Sequence, residues 1–167
     1  MRPGLRFSRF YDAGFTLVEL LVTVALMFIL GGLGLFALQS YTRAQEHQGT
    51  ADELVSTLRT VGERALSEGR TYCVSLDAAA DAWTVWQARC STSGGTPVEG
   101  GRDAQGNVQL NSPSFTLDAA TQPCPQAGSC VYFLPRGTGT PGSVQVVRDG
   151  AAIAVSVEGL TSRVSRS

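Results

Sequence analysis

The longest apolar stretch of the chain covers residues 15–38, where Glu19 is the only charged side chain. These 24 residues would form a helix of about 36 Å, because an α-helix rises about 1.5 Å per residue. That length exceeds the ~30 Å hydrocarbon layer of a bilayer, so the pattern predicts a transmembrane helix. A carboxylate inside such a segment is energetically costly, which indicates that Glu19 has a function.

The pattern changes from apolar to amphipathic after residue 38. Residues 40–68 are mostly polar and contain no proline, and apolar positions recur at spacings of four, three and four: Leu54, Leu58, Val61 and Ala65. This spacing predicts a continuation of the helix with one buried face, giving about 54 helical residues in all. Gly69 is suited to cap its C-terminus. His47, the only histidine, falls on the polar side and is expected to be solvated.

The remainder of the chain has the pattern of short β-strands. Strands are predicted over 71–76, 83–90, 108–110, 114–117, 131–134, 143–148 and 151–157. Asp77–Asp81 separates the first two strands, and Asp149-Gly150 is a strong hairpin signal between the last two. Residues 91–107, which hold five glycines and Pro97, are expected to form an exposed loop, as are residues 135–142. The predicted fold class is α+β, with a long N-terminal helix packed on a small antiparallel β-sheet domain.

Charge is distributed unevenly along the chain. The whole chain carries a net charge of -1, whereas residues 1–14 hold Arg2, Arg6 and Arg9 against Asp12, a balance of +2. Positive charge before an apolar segment places the N-terminus in the cytoplasm and the β-rich domain outside it. A secretory signal peptide is disfavoured because its apolar region is shorter, typically about 7–15 residues. A plain single-pass anchor would explain the apolar run but not the sequence that opens it.

The opening sequence is Gly14-Phe15-Thr16-Leu17-Val18-Glu19, and with the apolar run after it this chain resembles the type IV prepilins and pseudopilins. A narrower resemblance is to the GspH minor pseudopilins of type II secretion and the FimT minor pilins of type IV pili. It rests on the order of the helix and strands and on the sequences of residues 58–70 and 133–137.

The resemblance implies that a prepilin peptidase cuts between Gly14 and Phe15 and that Phe15 is then N-methylated. It also implies that Glu19 pairs with the terminal amine of a neighbouring subunit during assembly. The implied segments are a leader (1–14), a transmembrane and filament-core helix (15–38), an amphipathic stem helix (39–69) and a β domain (70–167).

The function implied by the resemblance is that of a non-catalytic filament subunit. The implied partners are the prepilin peptidase, other pilin or pseudopilin subunits and an inner-membrane assembly platform. The implied location is the bacterial inner membrane, with the β domain periplasmic or extracellular. An enzyme such as an anchored hydrolase is not expected, because no histidine accompanies the serines and no glycine-rich nucleophile turn stands near a carboxylate pair. Secretion, pilus and competence systems are not separated by the sequence.

Three glycines, Gly31, Gly32 and Gly34, interrupt the apolar run. In a helix each glycine costs roughly 1 kcal/mol relative to alanine. One interpretation is close packing of helices, which small residues permit. The other, suggested by the resemblance, is a stretch that loosens during assembly. Both interpretations stay open.

Four cysteines, Cys73, Cys90, Cys124 and Cys130, all fall in the part expected outside the cytoplasm, where disulfides form. Cys124 and Cys130 would clamp a local loop, which leaves Cys73 for Cys90. A tight turn at 77–81, however, would place Cys73 opposite about Val85, too far from Cys90 for a bridge. Either the hairpin is looser, or the pairs cross.

No metal or other cofactor is expected, since the chain has no Cys-x-x-Cys pair and its only histidine lies on the stem.

The C-terminus raises DNA binding as an alternative function. Some FimT-like pilins bind DNA through arginines of a C-terminal Gly-Arg-x-Arg motif, and this chain has Arg163 and Arg166 near its end. Their spacing departs from that motif and Glu158 is close by. A solvated or frayed tail is therefore the preferred interpretation of this segment.

Overall fold

The computed structural model describes residues 16–91, 94–117 and 123–167, without the side-chain surroundings of residues 33–40, 42–43 and 100–101. Gly14 and Phe15, the predicted processing site, lie outside the described residues. The described residues divide into two units, the first ending at Tyr41 and the second beginning at Thr42.

One α-helix, α1, spans Leu17–Glu68, which confirms a continuous helix across the apolar and amphipathic segments. Its first turn is capped by Thr16, whose Oγ1 accepts a hydrogen bond from the Glu19 N–H at 3.2 Å. Its C-terminal cap is Gly69, which has a φ of 63° and so adopts the left-handed conformation predicted for that position.

The first unit exposes apolar side chains around the helix. Large side chains between residues 17 and 30 are exposed by 42% or more: Leu17, Val18, Leu20, Leu21, Val22, Val24, Leu26, Met27, Phe28, Ile29 and Leu30. An apolar surface of this extent marks a contact surface. Over the ranges that the structure describes, no helical segment reaches the combination of length and apolarity needed to cross a bilayer.

Among its described residues, the second unit has two four-stranded antiparallel sheets instead of the single sheet predicted. Sheet A is built from β1 (Tyr72–Asp77), β2 (Ala82–Gln87), β3 (Thr96–Asp103) and β5 (Cys130–Phe133), in the order β3-β2-β1-β5. Sheet B is built from β4 (Gln109–Phe115), β6 (Gly142–Arg148), β7 (Ala151–Val157) and β8 (Val164–Arg166), in the order β4-β6-β7-β8. Both predicted hairpins, β1–β2 and β6–β7, are confirmed.

The main core lies between the second half of α1 and the two sheets. The predicted apolar face of the helix is confirmed: Leu54, Leu58 and Ala65 are fully buried, and Val61 is 2% exposed. Sheet A contributes alternate residues, including Val74, Trp83 and Phe133, and sheet B contributes Val144 and Val155. This burial is the principal source of stability of the unit.

The predicted loop over 91–107 is wrong, because β3 occupies residues 96–103 at the edge of sheet A. Glycine and proline lower β propensity but are tolerated on an edge strand. Two register shifts in the β2–β3 ladder, on either side of Val85, accommodate the irregular sequence. Pairing with β2 therefore overrides the local preference of this segment.

The two strands predicted over 108–110 and 114–117 form a single strand, β4. The residues between the two predicted strands contain a register shift, between Asn111 and Ser114, and Ser112 has a φ of 47°. An edge strand can contain a proline at such an irregularity without losing a necessary hydrogen bond.

Candidate functional site

Glu19 lies at the N-terminal end of α1, within its first turn, and is exposed. A carboxylate there is favoured electrostatically by the helix dipole. Among the described residues, nothing forms an ion pair with it. Its side chain is thus available to a cation outside this part of the chain.

The glycines beside this apolar surface leave open space. A Cβ atom added at Gly31 or at Gly32 would meet nothing within 4 Å. Helix α1 is continuous through both positions. Gly31 and Gly32 are therefore not needed for packing among the described residues, whereas the side-chain surroundings at Gly34 lie outside them; both interpretations of the glycines stay predictions.

Ion pairs join the second half of α1 to both sheets. They are Arg64 Nη1 with Glu99 at 3.0 Å, Arg102 Nη1 with Glu53 at 2.9 Å, Arg148 with Glu46, and Arg166 with Asp52. Most are partly exposed, and such pairs contribute about 0–1 kcal/mol each. The Arg148 side chain is the most buried of these, at 10% exposed. The exposed pairs therefore add little to the stability of the unit.

The prediction that His47 is solvated is wrong in part, because its side chain contacts sheet B. Its Nε2 lies 3.0 Å from the carbonyl oxygen of Val146 on β6, and its side chain is half-buried. A carbonyl oxygen only accepts hydrogen bonds, so Nε2 carries the hydrogen. The helical pattern could not show this contact, since the partner is 99 residues away.

The interpretation of the C-terminal segment as a solvated or frayed tail is wrong in part: the segment is exposed at Arg163, Ser165 and Arg166, but it forms a strand and is not frayed. Strand β8 pairs with β7, and Arg59 Nη2 donates a hydrogen bond to the Val164 carbonyl oxygen at 3.0 Å. Arg163 and Arg166 are both exposed, and Arg166 is paired with Asp52. Asp52 offsets the charge of Arg166, and no contact among the described residues supports DNA binding.

The Cys73–Cys90 disulfide resolves the conflict that the sequence left open. The β1–β2 hairpin is tight, and Cys73 lies opposite Trp86, one residue from the predicted register. Beyond β2 the chain turns back: Ala88, with a φ of 73°, donates its N–H to the Thr71 carbonyl oxygen at 2.9 Å. This turn brings Cys90 to a Cα–Cα distance of 5.5 Å from Cys73. Neither a looser hairpin nor crossed pairs is needed.

A second disulfide joins Cys124 to Cys130, with the Cα atoms 5.8 Å apart. Together the cysteines form a small cluster with Tyr132 on the face of sheet A away from the main core. The Tyr132 hydroxyl accepts a hydrogen bond from the Cys90 N–H at 3.2 Å and donates one to the Pro123 carbonyl oxygen at 2.5 Å. Tyr132 thus holds the two disulfide-bonded segments together, a role that the sequence did not reveal.

A hydrogen bond between Tyr72 and Glu68 stabilises the second unit, and this stabilisation is lost at alkaline pH. The Tyr72 hydroxyl donates to Glu68 Oε2, and this bond, with burial of the phenol and the charge of Glu68, raises the pKa of Tyr72 above its ordinary 10.0. In the unfolded chain the phenol ionises near pH 10, so the stabilisation is complete below about pH 10 and is lost as pH rises through the folded-state pKa.

We expect Tyr72→Phe to lower the free energy of unfolding by about 1 kcal/mol at neutral pH. The difference between wild type and variant should narrow above about pH 10, since only the wild type loses this stabilisation there. Urea unfolding at a series of pH values measures both effects. A difference that stays constant up to pH ~11 would show that the Tyr72–Glu68 bond does not control this titration.

The chain matches two known families. Residues 50–161 match the family described as type II transport protein GspH, and residues 9–35 match the prokaryotic N-terminal methylation motif. The second match includes Gly14, Phe15 and Glu19. No curated protein sequence matches the chain significantly.

Several solved structures share the fold. The minor pseudopilin EpsH from the type 2 secretion system of Vibrio cholerae has a TM-score of 0.55 and 18% identity, covering 72% of this chain and 95% of that one. The type IV minor pilin FimU of Pseudomonas aeruginosa has a TM-score of 0.53 and 17% identity, covering 75% and 90%. Escherichia coli GspH has a TM-score of 0.51 and 19% identity, covering 77% and 89%. The arrangement of one helix on antiparallel sheets is therefore shared with pseudopilins and minor pilins.

Proposed function

Because the chain belongs to the GspH family of type II transport proteins, we propose that it is a minor pseudopilin or minor pilin and that Glu19 guides its assembly into a filament. The observation that carries the proposal is the exposed Glu19 carboxylate beside an apolar helical surface, with no ion-pair partner among the described residues. Both features need another subunit or a membrane to cover them.

The processing step proposed is cleavage between Gly14 and Phe15, followed by N-methylation of Phe15. Its support is the N-terminal methylation motif, which spans both residues. Cleavage would create an α-amine at Phe15, four positions before Glu19 in the chain. The new cation and the carboxylate would then lie at the same end of each subunit.

Before assembly, the N-terminal segment is proposed to anchor the protein in the bacterial inner membrane. The arginines of residues 1–14 would hold the N-terminus in the cytoplasm and the second unit on the other side of the membrane. Disulfides in the second unit support an oxidising compartment. The partners proposed are the prepilin peptidase, neighbouring pilin or pseudopilin subunits and a platform in the inner membrane.

Assembly is proposed to rest on charge pairing within an apolar environment. A carboxylate buried alone costs several kcal/mol, and a cation beside it offsets most of that cost. If Glu19 of one subunit meets the Phe15 amine of the next, only one axial register satisfies both charges. The apolar side chains of α1 would provide the attraction between subunits, and the pair would define their register.

Processing can be tested by co-expression with a prepilin peptidase and intact mass measurement. We expect the chain to lose residues 1–14 and to gain the mass of one methyl group. A Gly14→Val variant should keep its leader, because the added side chain obstructs the cleaved backbone. Cleavage at another bond, or equal cleavage of the variant, would contradict the proposed site.

A further inference from the structure

We propose that the two disulfides form one exchangeable unit, in which Cys130, once released from Cys124, attacks the Cys73–Cys90 disulfide. The reaction partner that this site fits is a dithiol, which would enter at Cys124. The proposal concerns the sulfur chemistry of the second unit and does not depend on the proposed role of Glu19.

The first observation is the proximity of three sulfur atoms. The Sγ atoms of Cys73, Cys90 and Cys130 lie within 4.8 Å of one another, although Cys130 is bonded to Cys124. Cys73 and Cys130 are on the neighbouring strands β1 and β5, and both belong to the cluster on the outer face of sheet A. A sulfur released at Cys130 would therefore already lie next to another disulfide, which is the encounter that thiol–disulfide exchange requires.

The second observation is the difference in access among the four cysteines. Cys73, Cys90 and Cys130 are at most 1% exposed, whereas Cys124 is half-buried. A surface cavity of about 360 Å³ is lined by both Cys124 and Cys90, so it is the greater exposure of Cys124, not the cavity, that distinguishes the two. Because exchange depends on which sulfur an attacking thiolate can reach, attack at Cys124 is favoured over the other three.

Both steps balance in atoms and electrons. The dithiol's thiolate forms a bond to Cys124 Sγ, the Cys124–Cys130 bond breaks, and Cys130 leaves as a thiolate. Cys130 then forms a bond to Cys73 or Cys90, the Cys73–Cys90 bond breaks, and the displaced cysteine leaves as a thiolate that takes a proton from solvent. The second step conserves the number of disulfides and needs no oxidant.

As a consequence, attack by a dithiol on Cys124 at the surface would change the disulfide pairing of the buried cysteines. Opening the Cys124–Cys130 disulfide would by itself release a loop with a sequence separation of 6. Exchange at Cys90 or Cys73 would also change the covalent tie that holds the turn after β2 against β1, across a sequence separation of 17. The segment leading into β3 would thereby respond to a dithiol that touches only Cys124.

The arginine positions make the exchange directly measurable. Trypsin cleaves after arginine, and the chain has no lysine, so Cys73, Cys90 and the Cys124–Cys130 pair fall in separate peptides: 71–89, 90–102 and 103–136. The test compares Cys124→Ser, which frees Cys130, with the matched control Cys130→Ser, which frees Cys124. Full-length proteins are held at about pH 8.5, where thiolate forms, then acidified, alkylated and mapped by mass spectrometry.

In Cys124→Ser we expect Cys130 to exchange with the neighbouring disulfide, so that at least about one tenth of peptide 71–89 or 90–102 is linked to 103–136. That fraction corresponds to a native Cys73–Cys90 isomer favoured by no more than about tenfold over the exchanged isomer. In Cys130→Ser we expect only the link between 71–89 and 90–102. A Cys124→Ser protein that keeps the native link alone, with a free Cys130, overturns the proposal.

Wild-type protein provides a second measurement that does not depend on folding of a variant. With limiting dithiothreitol, links from 103–136 to 71–89 or 90–102 should appear before free Cys73 and Cys90 accumulate together. If the two disulfides open independently, or if Cys73–Cys90 opens first, the proposal is wrong.

Discussion

Replacing Glu19 with alanine is expected to leave leader removal unchanged and to lower incorporation into filaments at least about tenfold. The reason is that the terminal amine of a neighbouring subunit would be buried without its counter-charge. The measurement compares the amount of cleaved protein in membranes with the amount in sheared or purified filaments. Glu19→Gln should behave like Glu19→Ala, because it keeps the shape of the side chain without its charge.

Glu63→Ala is the matched control for this experiment. Glu63 is another exposed carboxylate on α1, at a position in the second unit, and its loss should not change incorporation. A cleaved Glu19→Ala protein that enters filaments as well as wild type would contradict the pairing role of Glu19. Reduced cleavage of that variant would instead point to recognition by the peptidase.

Leu58→Ala is expected to lower the free energy of unfolding by about 2–5 kcal/mol, which is more than the loss expected for Tyr72→Phe. The Leu58 side chain is fully buried between α1 and the sheets, so truncation leaves a cavity in the main core. The same substitution at Leu66, which is 54% exposed, should cost less than about 0.5 kcal/mol.

Tryptophan fluorescence can follow this unfolding specifically. The chain has two tryptophans, Trp83 and Trp86, and both lie on β2 in the second unit. Urea titration of the full chain in mild detergent therefore reports on this unit. Equal midpoints for the Leu58 and Leu66 variants would show that the α1 face does not support the core as the burial indicates.

Much of the fold followed from local patterns. The helical face at Leu54 and Leu58 was predictable because spacings of three and four place side chains on one side of a helix. The hairpin at Asp149-Gly150 was predictable because that dipeptide favours the required turn. The family resemblance followed from the hexapeptide at residues 14–19 and is confirmed over most of the chain.

The failures share a physical origin. Strand β3 and the joining of β4 were missed because glycine and proline disfavour strands locally, while pairing with a neighbouring strand compensates for that preference. The contact of His47 with Val146 spans 99 residues, and that of Arg166 with Asp52 spans 114. No periodicity along the chain encodes such contacts.

The sequence by itself determined the N-terminal motif, the long helix with its buried face, the two hairpins and the family, because each depends on residues close together in the chain. Only the tertiary structure decided the division into two sheets, the turn that brings Cys90 to Cys73, and the meeting of three sulfurs on sheet A. Those features arise when strands distant in sequence pair and place alternate side chains on a common face. The motif at Glu19 and the sulfur cluster are therefore complementary: one was readable along the chain, and the other exists only in the folded unit.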